Sequence, residues 1–331
     1  MNLNETMKIL DRALDLRLPI MLWGPPGVGK SSAVAAAAHA RGLRVEDVRL
    51  AQLDATDLRG IPVPDRESRR VDWYAPSFLP REGEGILFLD EIDKASALVK
   101  NAALQLVLER RLGEYRLPDG WRLVCAGNRE EDNSFSAPLG SALANRLLHV
   151  EVDADLDTWQ SWASDHDIHP DLRAFLRFRP ELLYKQTGEH AFPSPRSWEA
   201  ASRLLASVQN GEGPALVGAA VGAGTAVEFS AWSKLYRGVD VDEILAGKIP
   251  DFSDNDASLR YAVVLAVASR LEKSGLTDIE MRGLAALLDA VTPELRVLLF
   301  KSLPAPLVAR LSIHPALRKA AAQLVLDYVG A

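Results

Sequence analysis

The sequence predicts an α/β fold: a doubly wound parallel sheet of five strands, followed by a region built from helices alone. Three observations predict it. Strand-like and helix-like segments alternate as far as Asp153, the pattern of a parallel sheet covered by helices on both faces. The strand candidate ILFLD, Ile86 to Asp90, is a continuous apolar run, as a strand buried on both faces must be. Beyond Asp153 the strand signal stops, and the segments read as helices with short breaks.

The elements follow in order. MNLNETMKILDRALDL places Leu3, Met7, Leu10 and Leu14 at helical spacing with acids between them. It lacks the basic start and unbroken apolar stretch of a signal peptide, so a cytoplasmic location is expected. LPIMLW, Leu18 to Trp23, is the first strand and ends in glycines, and an alanine-rich helix follows from Ser31 to Ala40. VEDVRL is the second strand and ILFLD the third. A helix from Ala97 to Arg111 is expected next, with Leu98, Ala102, Leu106 and Leu108 as its apolar side. WRLVCAGN is the fourth strand and LLHVEVD the fifth.

Between the second and third strands lies RGIPVPDRESRRVDWYAP, Arg59 to Pro76. Ile61, Val63, Val71 and Trp73 alternate with other residues around a charged turn, the pattern of a hairpin or bent loop. Pro62 and Pro64 keep its edge from pairing further. The helical region then runs through TWQSWASDHD, DLRAFLRF, SWEAASRLLASVQ and PALVGAAVGAGTAVEFSAWSKL. After the turn-rich GKIPDFSDND come LRYAVVLAVASRLEK, DIEMRGLAALLDAV, PELRVLLFKSL and ALRKAAAQLVLDYV. Three parts are expected: 1–153 as the α/β domain, 154–240 as a helical domain and 241–331 as a helical extension.

Composition sets limits. The chain has 331 residues and a formal net charge of −7, so broad attraction to nucleic acid or an anionic membrane is not expected. No run reaches the length of a membrane-spanning helix. The single cysteine, Cys125, excludes an intrachain disulfide and a cysteine zinc cluster. It lies in the apolar run LVCAG and reads as a small core residue.

The chemistry concentrates in a few motifs. GPPGVGKS (Gly24, Pro25, Pro26, Gly27, Val28, Gly29, Lys30, Ser31) fits G-x-x-x-x-G-K-[ST], sits between a strand and a helix, and is followed by Ser32. Glycines let successive N–H groups point at phosphate oxygens, and the helix start adds partial positive charge. Lys30 would reach the β- and γ-phosphates and Ser31 would ligate Mg²⁺. ILFLDEID carries Asp90 and Glu91 to a strand's C-terminal end, where open α/β sheets bind ligands. There Asp90 can hold Mg²⁺ through water, and Glu91 can orient or deprotonate an attacking water. Asn128 ends the fourth strand and reads either as a group positioning that water or as the start of a turn. Arg146 precedes the fifth strand. Arg196 stands at a helix start, where a cation opposes the helix dipole and an anionic partner would explain it. As isolated residues both arginines read equally well as surface salt bridges.

Together these motifs resemble the AAA+ ATPases, most closely the MoxR branch that carries an insert in helix 2. GPPGVGKS looks like the Walker A motif, LFLDEID like Walker B and AGN, with Asn128, like sensor 1. ANR with Arg146 looks like the arginine finger, and PSPRSWE around Arg196 like sensor 2. Residues 54–80 correspond to the helix 2 insert and 112–121 to the hairpin before sensor 1. The resemblance implies an ATPase binding ATP and Mg²⁺ at the subunit interfaces of a homo-oligomeric ring, usually a hexamer. Arg146 would act on the neighbouring subunit's site, and Arg196 would tie the helical domain to the nucleotide. Such proteins remodel or activate protein partners, often partners with a von Willebrand factor A domain. Two other functions stay open at this point. One is a ring ATPase of helicase or loader type acting on nucleic acid, against which the acidic charge counts. The other is a nucleotide-binding scaffold with little turnover, against which Asp90 and Glu91 together count.

Overall fold

The computed structural model describes residues 1, 3–67, 69–132, 139–207, 213–252, 257–273 and 276–317. The chain divides into two compact units: Met1–Trp159 with Ser194–Arg196, and Gln160–Pro193 with Ser197–Ala331.

In chain order the elements up to the last strand are α1 (Leu3–Asp15), β1 (Ile20–Trp23), α2 (Lys30–His39), β2 (Arg44–Arg49), α3 (Ala55–Arg59), β3 (Ile61–Asp65) and β4 (Arg70–Tyr74). Then come β5 (Gly85–Asp90), α4 (Ala97–Glu109), β6 (Arg111–Leu112), β7 (Tyr115–Arg116), β8 (Trp121–Gly127), α5 (Ser141–Ala144) and β9 (Leu148–Glu151). Five strands form the main sheet in the order β2-β5-β8-β1-β9, every pair parallel. The three inner strands are the apolar runs, and Met21, Leu87 and Val124 are completely buried. The edge strands are poorer: β2 buries only Val48 and β9 only Val150. Burial on two faces therefore explains the unbroken hydrophobic runs, and edge position explains the charged ones.

Helix α4 corrects one expectation. Leu98 is 69% exposed and Leu108 41%, whereas Val99, Ala102, Ala103, Leu106 and Val107 are buried. The buried set follows an i, i+3, i+4, i+7, i+8 pattern, so Leu98 and Leu108 fall outside the stripe. The helix also stops at Glu109 rather than Arg111, because Arg110 takes a left-handed conformation with φ 54°. The short hairpin β6–β7 consequently spans Arg111–Arg116, and residues 117–120 only lead into β8.

The stretch between β2 and β5 forms the antiparallel hairpin β3–β4, with Ile61 opposite Tyr74, Pro62 opposite Trp73 and Pro64 opposite Val71. A proline cannot join a hydrogen-bonded pair, so both prolines occupy the non-bonded positions, where an N–H would point outward from the edge. Every residue of β4 is exposed, as are Ile61 and Val63 of β3.

The rest is helical: α6 (Leu156–Asp165), α7 (Pro170–Phe178), α8 (Pro195–Ala206), α9 (Gly213–Val221), α10 (Ala223–Arg237), α11 (Val241–Leu245), α12 (Ala257–Lys273), α13 (Asp278–Ala290), α14 (Pro293–Lys301) and α15 (Ala305–Ile313). Within the second unit Phe175 packs against Trp198, Phe229 and Trp232. A second cluster includes Ile244, Val264, Leu284 and Leu299. PALVGAAVGAGTAVEFSAWSKL is two helices rather than one, parted at Gly222, where an added Cβ would meet the Ala191 carbonyl oxygen at 2.8 Å. Most of the helix expected over ALRKAAAQLVLDYV lies outside the described residues. Among the described residues no helix is long and apolar enough to cross a membrane.

Candidate nucleotide-binding site

The site grows from the C-terminal ends of three neighbouring strands. β1 ends at Trp23, and the chain curls through Gly24–Gly29 before Lys30 opens α2. Backbones crowd here: a Cβ on Gly24 would lie 2.2 Å from the Val152 carbonyl oxygen. Gly29, at φ 104°, precedes α2 and offers no side-chain cap, so the first amides of the helix are not consumed by a capping group. An uncapped helix start closed by a lysine is a site for phosphate.

Lys30 is buried, and its Nζ donates to the carbonyl oxygens of Gly24 and Pro25 and, at 3.0 Å, to Asn128 Oδ1 at the end of β8. Burial lowers its pKa to about 8, against the opposing fields of Asp90, Asp132 and Asp93, with Arg196 lowering it further. Ser31 Oγ donates to Asp90 Oδ2 at 3.4 Å, so a hydroxyl and a carboxylate converge where β5 ends beside α2. This oxygen-donor pair suits a hard divalent cation such as Mg²⁺.

Glu91 has φ 55°, a costly region for a residue with a side chain. Two hydrogen bonds hold this turn: Glu91 N–H to Asp90 Oδ1 at 2.8 Å and Ile92 N–H to the Ala126 carbonyl oxygen at 3.1 Å. The half-buried Glu91 carboxylate meets Lys94 Nζ at 3.4 Å. Strain maintained at the end of the strand that also bears Asp90 matches a group fixed for chemistry.

Two residues of this region had no assigned role in the sequence. Asp93 is completely buried, and neither carboxylate oxygen closes a well-aligned hydrogen bond among the described residues. Burial raises its pKa, and the nearby backbone amides of Asn128 and Asp93 only partly oppose that. A Cβ on Gly127 would fall 2.7 Å from Asp93 Oδ1, so the residue before Asn128 must be glycine to admit this carboxylate. Arg129 pairs with Glu131, Asp132, Glu151 and Asp153, fastening the end of β8 to the end of β9. The acids beside Arg129 in NREED are the one hint of this that the sequence contains.

The two remaining arginines are placed differently. Arg196, exposed at the start of α8, donates its backbone N–H to the Gly27 carbonyl oxygen at 3.3 Å, which puts its backbone against the phosphate loop. Arg146 is exposed and lies before β9, whose first residue, Leu148, pairs with Ile20 at the start of β1. Lys30 follows the other end of β1, and four residues of strand alone span about 13 Å. The structure thus gathers Lys30, Ser31, Asp90, Glu91, Asn128 and the backbone of Arg196, and leaves Arg146 at the opposite end of the sheet. Ser32 is exposed in the first turn of α2, and Pro25, Pro26 and Val28 complete the loop.

A P-loop α/β sheet with paired acids and a polar amide at neighbouring strand ends defines a nucleotide-binding domain. Residues 20–147 match the model of the ATPase family associated with various cellular activities (AAA). Over those residues the chain is similar to an AAA ATPase domain. Midasin from Giardia intestinalis is 32% identical over 151 residues, which is 43% of this chain and 3% of that protein. Midasin from Dictyostelium discoideum is 34% identical over 156 residues, again 43% of this chain and 3% of that protein. The chain therefore matches a small fraction of the length of these curated relatives. Among solved structures, NtrX from Brucella abortus in complex with ADP aligns at TM-score 0.40 and 16% identity, over 97% of this chain and 68% of that one. A mutant of RuvB from Thermotoga maritima aligns at TM-score 0.41 and 16% identity, over 83% of this chain and 90% of that one.

Proposed function

We propose that the protein is a MoxR-like ATPase that hydrolyses ATP at the subunit interfaces of a ring, usually of six, to remodel or activate a protein partner. The observation that carries the reading is the separation of Arg146 from an otherwise assembled phosphate site. Lys30 and the amides opening α2 hold the phosphates, and Ser31 and Asp90 would hold Mg²⁺, which would supply charge neutralisation at the phosphate oxygens. Glu91 takes a proton from water as the water oxygen attacks the γ-phosphorus and the bond to ADP breaks. Asn128 positions that water. Arg146 of one subunit stabilises the charge developing in the next, which fits an exposed arginine that lies far from its own phosphate loop. Arg196 contacts the nucleotide from the start of α8. A von Willebrand factor A domain is the partner type that the resemblance suggests, with the exposed β3–β4 hairpin as its contact. Residues 154–240 serve as the lid, and 241–331 as the family-specific extension.

A site completed between subunits makes specific ATPase activity rise with protein concentration and level off as assembly, followed by sedimentation, is complete. Full specific activity from isolated monomers would overturn the reading. Strong stimulation by DNA or RNA that collapses as salt rises would replace the protein partner with nucleic acid.

A further inference from the structure

We propose that His149 is a positioning residue, tying the segment that carries Arg146 to the strand end that launches the phosphate loop. Trp23 Nε1 donates to His149 Nδ1 at 2.8 Å, and His149 Nε2 lies 2.7 Å from the Ala144 carbonyl oxygen. The indole nitrogen can only donate, so Nδ1 must accept, and the ring hydrogen must sit on Nε2 and point at Ala144. The two rings lie only 9° from parallel with centroids 6.2 Å apart. In this near-parallel arrangement the two ring nitrogens lie within hydrogen-bond distance of each other.

The endpoints give the contact its meaning. Trp23 is the last residue of β1 and is bonded directly to Gly24, the first residue of the phosphate loop. Ala144 is the last residue of α5, two residues before Arg146. A helix of four residues cannot fix its own orientation, so its end depends on such outside bonds. His149 itself is exposed on the edge strand. Water competes for its nitrogens there, so the two bonds add little to the stability of the fold. They are enough to set where a neighbouring arginine points.

The inference rests on Arg146 acting in the adjacent subunit's site. His149→Ala is expected to lower kcat of the assembled ring by about 10- to 100-fold while the KM for ATP stays within about twofold, since displacement of a catalytic group by about 1 Å can cost about 10²-fold. His149→Gln, whose amide can accept from Trp23 and donate to Ala144, is expected to recover part of the loss. Trp23→Phe, which removes the donor and keeps an aromatic ring, is expected to repeat the defect. Mixing locates the fault. A His149→Ala subunit keeps its own site but offers a misplaced arginine, so adding Glu91→Gln subunits, with an intact arginine and a dead site, restores activity. Mixing His149→Ala with Arg146→Ala subunits does not. The reverse pattern would place the effect in the phosphate loop and overturn the proposal, as would unchanged kcat in both His149→Ala and Trp23→Phe. If Arg146→Ala and Glu91→Gln subunits fail to restore each other, the interfacial role of Arg146 falls and this proposal falls with it. If that pair succeeds and the His149→Ala mixture fails, only the role of His149 is lost.

Discussion

The two ends of the parallel sheet differ in kind. Where β1, β5 and β8 finish, Lys30, Ser31, Asp90 and Asn128 are buried or half-buried and hydrogen-bonded to partners. Where β1 and β9 begin, Arg146 stands exposed and its guanidinium has no ion pair among the described residues. Groups held by neighbours are preorganised and can act where they sit. An exposed arginine acquires a task when another surface brings an anion to it. In the proposed function, one end is the site for phosphate and the other a contribution to a neighbour's site.

Substitutions can break this contrast. The largest effect is expected at the exposed end: Arg146→Ala should lower kcat of the assembled protein by about 10³-fold or more, with ATP affinity of the isolated subunit little changed. A loss of affinity instead would mean that Arg146 serves its own phosphate site. Glu91→Gln should lower the chemical step by about 10²–10⁴-fold and leave ATP bound and unhydrolysed, which single-turnover measurements with labelled nucleotide would detect.

Asp93 sharpens the contrast from the buried side. Burial raises its pKa above the ordinary 3.8, so the folded chain holds this proton more tightly than the unfolded chain does. Its contribution to stability is therefore lost as the pH climbs above that value, and at neutral pH the carboxylate is the costly form. Asp93→Asn is expected to raise the unfolding temperature at pH 7 by about 2–4 °C, a gain that shrinks as the pH falls toward the ordinary carboxylate range. A lower unfolding temperature would mean that an unseen partner stabilises the charge. The smallest effect is expected in the hairpin: replacing Arg66, Arg69 and Arg70 together by alanine should leave basal ATPase activity within about twofold while weakening coupling to a partner. Loss of nucleotide binding would make the hairpin structural.

The sheet, the phosphate loop and the strand-end acids are legible in the sequence because each is encoded within a few neighbouring residues. GPPGVGKS contains its own glycines and lysine, and ILFLD is apolar enough to read as an inner strand. What escapes depends on contacts made far along the chain. The partner of His149 lies 126 residues earlier, and Arg129 reaches acids on β9. Nothing near Asp93 announces its burial, which follows from β8 passing over it with a glycine. The buried side of α4 differs from the expected one because leucines occur all round that helix and packing alone selects among them. In the β3–β4 hairpin the alternation is visible, but only the register puts Trp73 opposite Pro62 rather than Ile61.

The central claim is that one chain supplies the phosphate site and another supplies the arginine. Mixing equal amounts of Arg146→Ala and Glu91→Gln subunits, each inactive alone, tests it most directly. With random assembly into a ring, about a quarter of the interfaces join an intact site to an intact arginine, so ATPase activity should return to about that fraction of wild type. A mixture as inactive as its components would contradict the account.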